Sequence, residues 1–208
     1  MKPDVDYSLY LVTDQSLLCE RTLEDAVEQA ICGGCTLVQL REKTLSSREF
    51  YETAQRVRTI TKTHGVPLIV NDRVDIAVAA EADGVHVGQS DLPARLVRKL
   101  IGDRILGVSV STVGEALRAV EDGADYLGVG AMYPTGTKTD AAIVSMEELC
   151  NIRGAVSLPI VVIGGINART VPDFAGTGID GLAVISALLA QPDIKSAAEE
   201  LIQRFRSI

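Results

Sequence analysis

The sequence predicts one α/β domain over residues 1–208, a (β/α)8 TIM barrel. Three observations lead there. Eight short apolar runs recur along the chain, helical patterns separate them, and no linker-like segment divides them. Strands are expected at 8–13, 36–42, 67–72, 84–88, 104–110, 126–131, 159–165 and 181–186. Helices are expected near 22–33, 46–63, 73–80, 92–101, 113–122, 145–152, 169–175 and 195–206. Several carry start signals: Thr22 with Asp25, Ser46 with Glu49 and Ser145 with Glu148, each pair three residues apart. The last helix lines up Ala197, Ala198, Leu201, Ile202 and Phe205 on one face. A faint internal echo supports a repeated unit: "EADGVHVG", "EDGADYLGVG" and "TGIDGLAVI" each place acidic or small residues and Gly before a strand. Strand–helix alternation implies parallel strands with helical crossovers, and eight such units fit a closed barrel. The alternative, an open doubly wound sheet, lacks its fingerprint, because the first strand-to-helix connection, "VTDQSLLCERT", has no G-x-G-x-x-G.

Bulk properties narrow the function classes. Of 208 residues, 47% are hydrophobic and 23% charged, an ordinary globular balance. The formal net charge of -8 argues against nucleic acid and anionic membranes as general partners. The N-terminus has no apolar signal region, and the longest uncharged stretch, 154–168, is broken by Pro and Gly pairs. A cytoplasmic setting is expected, with small-molecule partners and homo-oligomerisation left open. "CGGC" at 32–35 has redox or zinc spacing, but it closes a helix instead of opening one, and neither His64 nor His86 supplies a second ligand pair. It reads as a packed helix–strand junction.

In a barrel the C-terminal ends of the strands build the active site. Here those ends are polar. Strand two closes with Gln39, Arg41 and Lys43 in alternation, and alternate residues of an extended chain share a face. An amide and two cations at the barrel mouth suit an anionic ligand, whereas a solvated loop explains strand two taken alone. Asp72 and Asp91 follow strands three and four. Beside Arg41 and Lys43 they suit a Mg²⁺ ion bound together with a diphosphate, or else each caps the following helix. "PTGTK" at 134–138 offers hydroxyls, backbone N–H groups and a cation. Gly164, Gly165 and Ser186 follow strands seven and eight, where barrels often hold phosphate. "SALLA" at 186–190 reads as the short helix of such a site. His86, mid-strand, reads as a packed, hydrogen-bonded residue. No Ser–His–Asp or Cys–His set stands out, which points to substrates that react with each other.

The segments "VQLREK", "IVNDRVDIA", "ADGVHVGQSD", "GVSVST", "YLGVGAMYPTGTK", "IVVIGGI" and "GLAVIS", in this order, resemble the thiamine-phosphate synthases. The resemblance implies condensation of 4-amino-2-methyl-5-hydroxymethylpyrimidine diphosphate with 4-methyl-5-(2-phosphoethyl)thiazole, releasing diphosphate by a dissociative step. It implies that Gln39, Arg41, Lys43, Asn71, Ser109 and Lys138 contact the pyrimidine diphosphate, with Leu40 and Glu42 in the same segment. Arg41, Lys43, Ser109 and Lys138 are the implied catalytic set, and Asp72 and Asp91 the Mg²⁺ ligands. Thr135, Gly136, Thr137, Gly164, Gly165, Ile185 and Ser186 are implied around the thiazole phosphate. Rival readings are a thiazole tautomerase, a non-catalytic phosphate-binding regulator, and a phosphosugar isomerase or aldolase-like barrel. The last two would need, respectively, no metal set and a general base or Schiff-base lysine. If Lys138 meets the leaving group, Lys138→Ala should slow turnover by ~10²–10³-fold, by analogy with removing an oxyanion donor. Near-normal turnover would remove that role.

Overall fold

Short parallel strands close the barrel because each carries an inner and an outer row of side chains, both buried. In the computed structural model, which describes residues 5–136 and 142–208, the strands are β1 (Leu9–Val12), β2 (Leu37–Leu40), β3 (Leu68–Asn71), β4 (Gly84–Val87), β5 (Ile105–Val110), β6 (Tyr126–Val129), β7 (Ile160–Ile163) and β8 (Gly181–Val184). They pair in chain order, all parallel, and β8 closes on β1. The helices are α1 (Leu23–Cys32), α2 (Ser47–Thr63), α3 (Val74–Ala79), α4 (Ala94–Ile101), α5 (Val113–Glu121), α6 (Met146–Ala155), α7 (Ser186–Leu189) and α8 (Ile194–Arg206).

The expected start signals form real caps. Thr22 accepts from the Asp25 N–H, Ser145 accepts from the Glu148 N–H, and Ser46 with Glu49 completes a reciprocal capping box. Two local expectations need correction. The segment expected as a helix at 169–175 is a 3₁₀ turn, Val171–Phe174, because the chain leaves helical geometry at Ala175 (ψ 128°) and Gly176 turns it at φ 73°. A second 3₁₀ turn at Gln15–Leu17, capped by Asp14, has no counterpart in the expected elements. Except for β5, which runs to Val110 as expected, the strands stop one or two residues before their expected ends, where the chain leaves the ladder to form the mouth.

The core has two layers. Outward-facing residues such as Leu9, Leu11, Val38, Leu40, Val70 and Val162 pack against the helices. The barrel interior holds Tyr10, Val12, Leu37, Ile69, Ile105, Tyr126, Val161 and Ala183. This matches the period-2 alternation of each strand.

The sequence echo has a structural cause at the bottom of the barrel. Asp83, just before β4, accepts from the Leu68 N–H that starts β3, at 2.8 Å. Asp125 does the same for Leu106 beside β6, and Asp180 for Ile160 beside β8. In the first pair the Thr36 hydroxyl takes that place, accepting from the Leu9 N–H. Each side chain thus satisfies an N–H at the start of an odd strand, the first residue in β1, β3 and β7 and the second in β5, from the foot of the next even strand. Arg98 reinforces one clasp, pairing with Asp125 at 2.5 Å and donating to the Gly123 and Arg104 carbonyls. Asp125→Ala is therefore expected to cost ~3 kcal/mol, since it strands a half-buried guanidinium and a strand N–H together. Denaturant unfolding measures it, and a loss under 1 kcal/mol would refute the clasp.

The CGGC junction is packing. Cys35 is buried with its thiol directed at the Leu9 and Leu37 carbonyls, and a Cβ on Gly33 would meet the Ala198 side chain at 2.7 Å, so α8 lies directly against this corner. Burial pushes the Cys35 thiol up to about 11. A thiol-specific reagent at pH 8 should label exposed Cys19, Cys32 and Cys150 quickly and Cys35 only on unfolding. Fast labelling of all four would contradict this burial. Among the described residues, no helix is long and apolar enough to cross a membrane.

Candidate active site

Gln39 faces into the barrel and is buried, Leu40 faces out into the helix-packed layer, and Arg41 follows half-buried just beyond the end of β2. The buried Thr13 hydroxyl fastens this exit, accepting from the Arg41 N–H at 2.9 Å, while the Thr13 N–H donates to the Gln39 carbonyl. The Arg41 guanidinium lies 3.8 Å from the Asp14 carboxylate. Glu42 is engaged elsewhere: it accepts from the Gln15 amide at 2.7 Å. Burial raises the Glu42 carboxyl above its usual range, partly offset by that bond.

Lys43 reaches across to β3 and donates to Asp72 Oδ2 at 2.5 Å. Asp72 has φ 60°, the left-handed region that Asp tolerates better than most residues, and this turns the chain sharply after Asn71. Asp91 accepts from the Gly88 N–H at 2.8 Å. Its carboxyl is raised by burial and by the neighbouring Asp72, and lowered by Lys43. Neither aspartate caps a helix: the N-cap positions of α3 and α4 are Arg73 and Pro93, without side-chain bonds. The capping alternative for both residues therefore falls away. Two crowded carboxylates with one ammonium suit a hard divalent cation. Among the described residues no cluster of three or more His, Cys, Asp or Glu could hold a metal. An ion here would complete its shell with water and ligand oxygens, as Mg²⁺ commonly does.

Beneath the mouth, polar side chains cross the barrel interior. Gln39 Nε2 donates to the Tyr10 hydroxyl at 2.7 Å, and the Tyr10 and Tyr126 hydroxyls lie 2.7 Å apart. Tyr126 lies 2.8 Å from His86 Nδ1, and His86 Nε2 lies 2.8 Å from Ser109 Oγ. Gly107 and Gly128 leave the room: a Cβ on Gly107 would run into the Tyr126 and His86 rings, and one on Gly128 would press on the His86 ring at 3.0 Å. Burial raises both phenols far above their ordinary value.

Across the barrel, β7 ends in Gly164 at φ 95° and Gly165 at φ 69°. A Cβ on Gly164 would lie 2.6 Å from that of Ala131, so only glycine lets this turn pass beneath the loop after β6. The Tyr133 N–H closes the contact onto the Gly164 carbonyl, and its phenol donates to Asp173 at 2.6 Å. Thr135 and Gly136 follow on this loop, half-buried and exposed. Ile185 and exposed Ser186 open α7 at the end of β8.

A family model described as thiamine monophosphate synthase matches residues 9–188. The chain belongs to this family. It is 64% identical to a thiamine-phosphate synthase of Clostridium beijerinckii, covering 100% of both chains. With that of Ruminiclostridium cellulolyticum it shares 61%, over 99% of this chain and 98% of the other. The solved thiamine phosphate pyrophosphorylase from Pyrococcus furiosus superposes with a TM-score of 0.90 at 38% identity, covering 97% of this chain and 96% of that one. Membership in the thiamine monophosphate synthase family makes the barrel an enzyme, a transferase of thiamine biosynthesis.

The structure brings Gln39, Arg41, Lys43, Asn71, Asp72, Asp91 and Ser109 to one rim or just beneath it. Gly164, Gly165, Ile185 and Ser186 follow the ends of β7 and β8. Leu40 has no exposed surface and its side chain packs in the outer layer against the helices, away from the mouth. Thr137 and Lys138 lie outside the described residues. Sequence reasoning missed Thr13, Tyr10 and Tyr126, because tyrosines in apolar strands read as core. The available signal was the pair of glycines, Gly107 and Gly128, at inward positions of adjacent strands beside them.

Proposed function

We propose that this barrel condenses 4-amino-2-methyl-5-hydroxymethylpyrimidine diphosphate with 4-methyl-5-(2-phosphoethyl)thiazole, giving thiamine phosphate and diphosphate. The observation that carries the reading is the Lys43–Asp72–Asp91 cluster beside Arg41 on one rim. Asp72 and Asp91 would hold Mg²⁺, which when bound would neutralise charge on the diphosphate. Arg41 and Lys43 bind the departing diphosphate, with Lys138 in the same role by resemblance. Their charges matter most as the C–O bond breaks and negative charge gathers on the leaving group. The pyrimidinylmethyl cation so formed is captured by the thiazole nitrogen, whose lone pair needs no general base. This agrees with His86, whose two ring nitrogens both have protein partners. The thiazole phosphate is held across the barrel by Thr135, Gly136, Gly164, Gly165, Ile185 and Ser186, with Thr137 added by resemblance. Holding both substrates turns a bimolecular encounter into an oriented reaction. A cytoplasmic setting belongs to the same proposal.

Incubation with both substrates and Mg²⁺, followed by oxidation, should yield fluorescent thiochrome phosphate. Omitting either substrate or adding EDTA should abolish it. Saturable binding of each substrate without product would overturn the reading and favour a regulatory barrel.

A further inference from the structure

With the Gln39 amide nitrogen turned toward Tyr10, every member of the interior hydrogen-bond chain is satisfied in one direction. An amide nitrogen only donates, so Tyr10 accepts from Gln39. The single proton of Tyr10 is then available to the Tyr126 oxygen, and that of Tyr126 to His86 Nδ1. In that arrangement His86 Nδ1 accepts and carries no proton, so the proton of the neutral imidazole sits on Nε2 and faces Ser109 Oγ. The Ser109 hydroxyl proton is left to point elsewhere. Its backbone carbonyl already accepts from Gln89, and Ser109 is half-buried near the rim of the barrel.

We propose that Tyr10, Tyr126 and His86 are positioning residues that lock His86 as its Nε2–H tautomer and thereby set Ser109 as a hydrogen-bond donor toward the bound substrate. Two features support a built chain over incidental packing. Both phenols are buried where ionisation is strongly disfavoured, so each retains the proton the relay needs. Gly107 and Gly128 vacate the volume that the His86 and Tyr126 rings occupy. The chain also joins residues far apart in sequence: Gln39 on β2 and Ser109 on β5 become the two ends of one polarised unit. The ligand on which Ser109 acts is therefore an acceptor, a ring nitrogen or a phosphate-type oxygen. That last step rests on the proposed function, whereas the tautomer does not.

Imidazole ¹⁵N NMR tests it on the full-length protein, which has two histidines. His64 sits on the surface beside Glu28, and His64→Gln leaves His86 as the sole signal. The expected spectrum shows a pyridine-type Nδ1 and a pyrrole-type Nε2. In Tyr126→Phe, with no proton donor at Nδ1, the signals should move toward a mixture of tautomers. Product formation by Tyr126→Phe should fall roughly 5- to 10-fold, the weight of one hydrogen bond, and the same change should have no further effect in a Ser109→Ala background. An Nδ1–H tautomer in the native protein, or a spectrum unchanged by Tyr126→Phe, overturns the proposal. Should Tyr126→Phe fail to fold, the native tautomer alone decides. The correct tautomer in a protein that makes no thiamine phosphate would leave the lock standing and sink the proposed function instead.

Discussion

Asp91→Asn is expected to lower turnover by about 10²–10³-fold at saturating substrates, while leaving the protein as stable as before or more so. The two effects share one cause. Asp91 is a carboxylate held where its charge is unfavourable: burial raises its pKa, and Asp72 raises it further. Asparagine keeps an oxygen for the Gly88 N–H but removes the crowded negative charge, and with it half of the carboxylate pair that would hold Mg²⁺. The sign of the pH dependence follows. Between the ordinary carboxylate value and the raised one, the folded protein binds more protons at Asp91 than the unfolded chain does. Stability from this site is therefore lost as pH rises through that window. The gap between Asp91→Asn and the parent should be absent at low pH and widen above the window, and Mg²⁺ should close it. Thermal melts across pH with and without Mg²⁺, alongside the thiochrome assay, measure both effects. Undiminished turnover would exclude Asp91 from the reaction, and a marked loss of stability at neutral pH would show that its charge supports the fold.

Gly107→Ala should be among the most damaging single methyl additions in the barrel. The new Cβ would collide with the Tyr126 ring and hydroxyl and with His86 Nδ1. Both partners are buried, and their hydrogen bonds fix where they sit, so the collision cannot be relieved by rotating a free side chain. Overpacking of this kind costs about 3 kcal/mol, or a melting temperature lower by ~10 °C for a chain of this size. Activity should fall with it, because the substitution parts Tyr126 from His86. Gly154→Ala is the control. It lies at the exposed end of α6 with nothing within 4 Å of the added Cβ, and should stabilise by ~0.5–1 kcal/mol through the unfolded state. A Gly107→Ala protein that melts within 2–3 °C of the parent would show that the interior is looser than its geometry implies.

Much of this architecture was legible in the chain because its causes are local. Ser46 with Glu49 marks the start of α2 through a bond between residues three apart. Alternation in "VQLRE" separates Gln39 from Leu40 because a strand has a period of two whatever surrounds it. Parallel strands with helical crossovers follow from the order of the elements, and the polar strand ends follow from composition. The 3₁₀ turn at Val171–Phe174 was not legible because its apolar spacing resembles a helix, and the extended Ala175 with the turn at Gly176 decides otherwise.

What closure alone decided is which distant groups meet. Asp72 and Asp91 each read as helix caps or as ligands until the folded chain left both α3 and α4 without side-chain caps and set the two carboxylates side by side under Lys43. Tyr10 and Tyr126, 116 residues apart, touch only because the inward rows of eight strands converge on one axis. Their hydroxyls read as core in the sequence and become a directed chain in the fold, since hydrogen bonding across a barrel depends on register and curvature that no local pattern encodes.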